Sequence, residues 1–309
     1  MKGIYFDGKA AFYREDLKMP VPGQGESLVK IKVAAVCNTD KEILKGYRPD
    51  FQGIMGHEFV GVVEQSADES LIGKTVVGEL NAACGKCIYC RTGRPTHCTY
   101  RRVLGMHRKD GCFAEYMTID TSLLHELPEG LPIEKAIYTE PLAAAFEIMT
   151  QVSFDGDKNI AVLGDGRLAY CVVQAFSSKG QPVTVIGKHP EKLELFRTYA
   201  DVTLERKKEA YEVVVEATGS PDGIRQALDL VRKKGTIVLK STYAGEVSLP
   251  LSLVAVNEIT VVGSRCGPFV PALQALASGK AKFPHLTVFS PEAFREAFAY
   301  TGFKAGFYF

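Results

Sequence analysis

The chain has no uninterrupted apolar run near the ~18 residues that a membrane helix requires. Its opening residues, Met1-Lys2-Gly3-Ile4-Tyr5-Phe6-Asp7, carry neither an apolar h-region nor a small-residue cleavage site. The expectation is therefore a cytoplasmic protein, neither embedded in a membrane nor secreted. Charge imbalance is missing too: 37 Lys and Arg stand against 36 Asp and Glu, for a formal net charge of +1. That argues against a polyanionic partner such as nucleic acid, and no basic helix follows Cys98 to suggest a nucleic-acid zinc module. There is no internal repeat and no low-complexity segment. Nor is there the even cysteine spacing of a disulfide framework. Four of the eight cysteines, Cys84, Cys87, Cys90 and Cys98, crowd into one stretch, which in a reducing compartment points to metal.

What is present is ordinary globular composition, 46% hydrophobic and 24% charged over 309 residues, enough chain for roughly two domains. Short apolar runs at 27–36, 58–64 and 74–80, punctuated by glycine and proline, predict an all-β, barrel-like first region. Within 27–36, Ile31, Val33 and Ala35 share one face and Lys30 and Lys32 the other. From 159 the pattern changes. Strands are expected at 159–163, 183–186, near Val202, and at 211–216, 236–240 and 259–263. Helices are expected at 167–179, from Pro190, and at 221–233 and 270–278. Six strands with intervening helices describe a doubly wound parallel sheet, so the fold class is α/β.

Several stretches carry chemistry. Cys37-Asn38-Thr39-Asp40 and Gly56-His57-Glu58 put a thiol, a hydroxyl, an imidazole and carboxylates on one short crossover. Cys37 and His57 suit the first two ligands of a catalytic zinc, and equally suit a buried thiol beside a hydrogen-bonded histidine. Cys84-x2-Cys87-x2-Cys90-x7-Cys98 is far more specific: four thiolates can close a tetrahedral structural zinc site. Unpaired thiols at that density would invite oxidation, and His97 is read as a solvated neighbour.

Gly164-Asp165-Gly166-Arg167-Leu168-Ala169 follows an expected strand and opens an expected helix, the context a dinucleotide fingerprint needs. Gly164 permits the tight turn, Gly166 admits the pyrophosphate, and Arg167 and Leu168 begin the helix that faces it. Asp165 puts a negative charge near the phosphates, which Arg167 offsets. An NAD-selective domain places Asp or Glu at the end of the second strand, but this chain has Gly187-Lys188-His189 there. A glycine leaves room for a 2′-phosphate and Lys188 can neutralise it, so NADP is favoured over NAD; the bland alternative is a solvated turn. Thr218, after the fourth strand, completes the expected cofactor contacts. Glu140, in Thr139-Glu140-Pro141-Leu142, reads either as a helix start favoured by the dipole or as a further metal ligand.

These motifs occur in one order, and the chain resembles the zinc-dependent medium-chain dehydrogenase/reductase family, the alcohol dehydrogenases, over nearly its whole length. The branch it looks most like contains polyol, sugar and threonine dehydrogenases. The resemblance implies a GroES-like β-barrel catalytic domain at 1–143, a Rossmann domain at 144–282, and a return to the catalytic domain at 283–309. It implies two Zn²⁺ per chain. Cys37, His57, Glu58 and Glu140 match the catalytic set, and Cys84, Cys87, Cys90 and Cys98 the structural one. Thr39 matches the hydroxyl that takes the alcohol proton, and Asp40 looks like the partner that orients His57. The implied activity is NAD(P)-dependent hydride transfer to or from a small alcohol, polyol, sugar or carbonyl, by a homodimer or homotetramer.

Some positions depart from the family. Where many members have histidine five residues beyond the first ligand, to finish a proton relay, this chain has Glu42. The linker at 153–158 and the C-terminal region are short. Two other readings stay in view: a zinc-independent quinone or enone reductase on the same fold, against which the Cys37, His57 and Glu140 set argues, and a non-catalytic cofactor sensor.

Overall fold

The computed structural model describes residues 1–154, 158–242 and 246–309. Two compact units emerge, one made of Met1–Glu140 with Phe283–Phe309, the other of Pro141–Lys282. The short linker expected at 153–158 falls in part outside the described residues.

The first unit is built on the long strand Glu26–Ala35, which pairs antiparallel with Glu58–Gln65, Tyr116–Asp120 and the C-terminal strand Ala305–Tyr308. Alternation holds in its middle: Ile31 and Val33 are fully buried while Lys32 is exposed. Towards its end Ala34 and Ala35 are both buried, because the C-terminal strand covers the ladder there (Ala34 opposite Phe307, Ala35 opposite Gly306). The pairing of Ala35 with Glu58 brings Cys37, two residues past one strand, beside His57, one residue before the other. The Gly306 register likewise carries Lys304 to the same end of the sheet. The chain tail, which reads as mixed character in sequence, thus contributes two strands, Thr287–Phe289 and Ala305–Tyr308, and the helix Phe294–Ala299.

The second unit is a six-stranded all-parallel sheet. Its spatial order is Asp201–Thr203, Thr184–Ile186, Ile160–Leu163, Tyr211–Glu216, Val231–Leu239, Thr260–Gly263. Chain order reverses at Ile160–Leu163, where a doubly wound sheet binds its ligand. Ile160–Leu163 is buried along its length, as a strand covered on both faces must be. One boundary differs from expectation. The helix expected over 221–233 stops at Leu230, and the strand begins at Val231. Val231 is buried opposite Tyr211, and the ladder then slips before Val213 meets Thr236, while Lys234 turns through a positive φ of 61°. The apolar Val231 therefore serves the sheet, and the cations after it sit on an exposed bulge. The segment from Pro190 is only one turn, Pro190–Leu193, and the sequence reading missed the short helix Leu251–Val256. Among the described residues no helix is long and apolar enough to cross a membrane.

Candidate metal and nucleotide sites

Cys37 caps the short helix Asn38–Ile43, His57 stands just before the neighbouring strand Glu58–Gln65, and Glu58 opens it. One ligand atom from each of Cys37, His57 and Glu58 lies within 4.8 Å of the others. Gly56 makes the approach possible: its φ is +92°, and a Cβ there would meet the Phe113 ring at 2.3 Å. His57 and Glu58 are 3% and 1% exposed, and Asp40 is fully buried beside them. Asp40 braces both ligands. Its Oδ2 accepts the Cys37 N–H at 2.8 Å, and its Oδ1 lies 3.2 Å from His57 Nδ1, which leaves Nε2 for a metal. Burial disfavours the imidazolium, but Asp40 outweighs it and raises the His57 pKa well above its ordinary value.

Glu58 forms a buried ion pair through Oε2 with the Lys304 ammonium, while its Oε1 is buried without a hydrogen-bond partner. An orphaned carboxylate oxygen next to a thiol and an imidazole is a donor set that fits zinc. Thr39 is half-buried with Oγ1 at 3.7 Å from Cys37 Sγ. Glu140 is not part of this group; it is half-buried in the first turn of the helix Thr139–Gln151. Glu42 pairs with Lys45 at 2.9 Å.

The four cysteines of the 84–98 loop form a second group, their sulfurs all within 4.8 Å of one another. Sγ of Cys87 is 3.4 Å from that of Cys90 and 3.8 Å from that of Cys98. Backbone N–H groups of Cys84 and Tyr100 point at Cys98 Sγ, each at 3.3 Å. Backbone donors from Cys90 and Thr99 bring the Cys87 thiol down to about 6, whereas burial and the sulfurs of Cys87 and Cys98 push Cys90 up to about 12. Four thiolates this close repel one another, and a divalent cation is what lets all four ionise together. His97 is exposed.

In the second unit Gly164 takes φ +127°, and a Cβ on it would sit 2.7 Å from the Ala217 carbonyl oxygen. Gly166 caps the helix Arg167–Ser178 with open space before it, a cradle that suits a pyrophosphate at a helix N-terminus. Ala169 is fully buried and packs helix on strand; Arg167 and Leu168 are half-buried. Gly187 is buried, and Lys188 and His189 are exposed. The end of the second strand is not without an acid, however. Asp165 reaches it from the glycine turn: its Oδ2 accepts the N–H groups of Lys188 and His189 at 2.7 and 2.9 Å and lies 3.0 Å from His189 Nδ1. Burial raises the Asp165 carboxyl, but those donors outweigh it and hold the group below the usual carboxylate range.

Thr218 donates its N–H and its hydroxyl to Glu216 Oε1, at 2.8 and 2.6 Å. Glu216, 1% exposed, also takes the Ser241 hydroxyl at 2.9 Å, and so ties together the turns that follow two adjacent strands. Sequence reasoning missed Glu216 and Lys304. The signal for each was a charge at the boundary of an apolar strand.

Residues 23–129 match the alcohol dehydrogenase GroES-like domain and residues 168–278 the zinc-binding dehydrogenase family. An alcohol dehydrogenase of Rhizobium meliloti is 31% identical over 278 residues, 82% of this chain and 80% of that protein. The chain belongs to the zinc-dependent medium-chain dehydrogenase/reductase family. Another member, a sorbitol dehydrogenase of Halalkalibacterium halodurans, is 29% identical over 298 residues, 88% of this chain and 87% of its own length. The fold agrees as well: L-idonate 5-dehydrogenase from Escherichia coli superposes with a TM-score of 0.90 at 22% identity, covering 100% of this chain and 98% of that one. In this family's terms the first unit contains the GroES-like domain and the second is the Rossmann sheet.

Proposed function

We propose that the chain is a zinc-dependent NAD(P)(H) oxidoreductase. It moves a hydride between a nicotinamide and an alcohol, polyol or sugar, or the matching carbonyl. The observation that carries this reading is the group of half-buried Cys37 with buried His57 and Glu58, one Glu58 oxygen orphaned. Zinc held there supplies Lewis acidity to an alcohol or carbonyl oxygen, and a nicotinamide accepts or returns the hydride.

The chain's own residues do the rest. Asp40 anchors the Cys37 backbone and sets a carboxylate oxygen 3.2 Å from His57 Nδ1, so both ligands are placed before any metal arrives. Lys304 balances the Glu58 charge in a place water does not reach. Thr39, beside the Cys37 sulfur, is the hydroxyl we assign to take the alcohol proton. Glu42 stands where a relay histidine is common, and its pairing with Lys45 leads towards solvent-exposed side chain. Glu140 enters the catalytic set through the family resemblance alone, since it lies outside the group of three.

A second, structural zinc belongs to the reading, in the 84–98 loop, and the sulfur cluster supports it. We assign zinc chemistry to 1–143 with 283–309 and nucleotide binding to 144–282; the division into two compact units supports that assignment. Gly164, Gly166, Arg167 and Leu168 are assigned to the pyrophosphate, with Thr218 shaping the turn nearer the nicotinamide. Lys188 and His189 support NADP(H), and the Asp165 carboxylate that binds their N–H groups supports NAD(H). A homodimer or homotetramer fits Leu251, Leu253, Val256 and Val261, exposed on or near the edge strand Thr260–Gly263.

The test is turnover of a panel of polyols, sugars and secondary alcohols, and of the matching carbonyls, by purified zinc-loaded protein with each nicotinamide nucleotide. Chelator-sensitive turnover of at least one substrate is expected. Turnover that survives chelation would favour the zinc-independent reductase, and binding without turnover the cofactor sensor.

A further inference from the structure

In a doubly wound sheet the adenosine ribose lies at the end of the second strand, and a carboxylate there selects for its free 2′-hydroxyl. In this chain the second strand, Thr184–Ile186, ends in Gly187, which has no side chain to offer. The space is nonetheless filled. A Cβ on Gly187 would meet Leu193 Cδ2 at 2.7 Å and both Cβ and Oδ2 of Asp165 at 3.0 Å, so the aspartate and Leu193 side chains together occupy the volume that a longer residue at 187 would claim. Glycine at 187 and aspartate at 165 are thus two halves of one arrangement.

The donors are engaged in the same way. A 2′-phosphate at this position would draw on the backbone N–H groups after the strand. Those of Lys188 and His189 already bond Asp165 Oδ2, and the His189 ring nitrogen faces the same oxygen. All three contacts converge on Oδ2, and among the described residues none falls on Oδ1. One oxygen of a fixed anion therefore stays open to a hydroxyl. A phosphate approaching there would meet like charge without the usual backbone donors, with the exposed Lys188 ammonium acting against that repulsion.

We propose that Asp165, projected from the glycine turn across Gly187, is the residue that selects the nucleotide, accepting the ribose 2′-hydroxyl through Oδ1 and excluding a 2′-phosphate, so that the chain prefers NAD(H) to NADP(H). This rests on the nicotinamide reading above. It departs from the preference that Gly187-Lys188-His189 suggests as sequence, because that preference presupposes a strand end without an acid.

The experiment is a pair of fluorescence titrations, NADH and NADPH, on the zinc-loaded full-length protein and on Asp165→Asn. Asparagine keeps an acceptor for the two N–H groups and removes the charge. The parent should bind NADH more tightly, and Asp165→Asn should move the ratio of the two Kd values towards NADPH by about tenfold or more. Asp165→Ser gives the same readout should the asparagine variant fail to fold. A parent that prefers NADPH overturns the proposal, and so does a substitution that weakens both nucleotides equally, which is what a purely structural aspartate produces. In either case both nucleotides still bind and the oxidoreductase reading stands. A parent that binds neither removes that reading and this proposal together.

Discussion

Cys37→Ser should abolish alcohol oxidation, lowering kcat/KM by at least about 10³-fold, while nicotinamide binding persists. Lewis-acid stabilisation by a bound metal contributes several kcal/mol to such a reaction, and each 1.4 kcal/mol is about a factor of ten. Serine keeps the backbone N–H that Asp40 Oδ2 accepts, so the helix start at Asn38–Ile43 survives. What is lost is the soft, anionic ligand, because a serine hydroxyl does not ionise near neutral pH as a metal-bound thiol does. The glycine turn and the strand ends that we assign to the nucleotide belong to the Pro141–Lys282 unit, which the substitution does not alter. Steady-state kinetics alongside a nicotinamide titration separates the two effects. Undiminished turnover would sink the catalytic role of the Cys37 group.

Cys90→Ser should act on stability instead. The 84–98 loop contains one short helix, Ile88–Arg91, and a single 3₁₀ turn, Pro95–His97. Its apolar side chains hardly contribute to a core: Ile88 is 57% exposed and Tyr89 39%, with Tyr100 just beyond it at 66%. With so little burial, the loop needs the metal to hold its shape, and the free energy of binding is then free energy of folding. Removing one of four thiolates should lower the melting temperature by about 5 °C or more, the shift that a loss of a few kcal/mol produces in a chain of this size. Chelator should lower the parent to about the same temperature and leave the variant where it is. A variant that melts with the parent would show that the cluster carries no structural metal.

Legibility in the sequence followed the range of the interactions. The strands at 160–163 and 211–216 announced themselves because a doubly buried strand is a continuous apolar run, and the cysteine loop because its four ligands are close neighbours in sequence. Cys37 and His57 were visible as residue types, yet what joins them is the register of Ala35 on Glu58, which spacing alone does not state. The Lys304 to Glu58 pair was beyond reach for the same reason, since it depends on the last strand laying Gly306 against Ala35. Asp165 shows the limit most clearly. As a letter in the glycine motif it reads as an unwelcome charge, and only the turn geometry carries it over Gly187. Val231 was misplaced because a helix ending and a strand beginning share one apolar residue, and its pairing with Tyr211 decides the matter. Glu140 was named by analogy with a motif, and the motif says nothing of where the side chain sits.

The central claim is that one chain holds two metal ions in two separately built sites, one for chemistry and one for the fold. Zinc content per chain, measured by elemental analysis on the parent, Cys37→Ser and Cys90→Ser purified side by side, tests it most directly. The account predicts two zinc ions in the parent and one in each variant, with turnover absent from the first variant and thermal stability reduced in the second. Two zinc ions retained in Cys37→Ser, or a fully active parent with none, would contradict it.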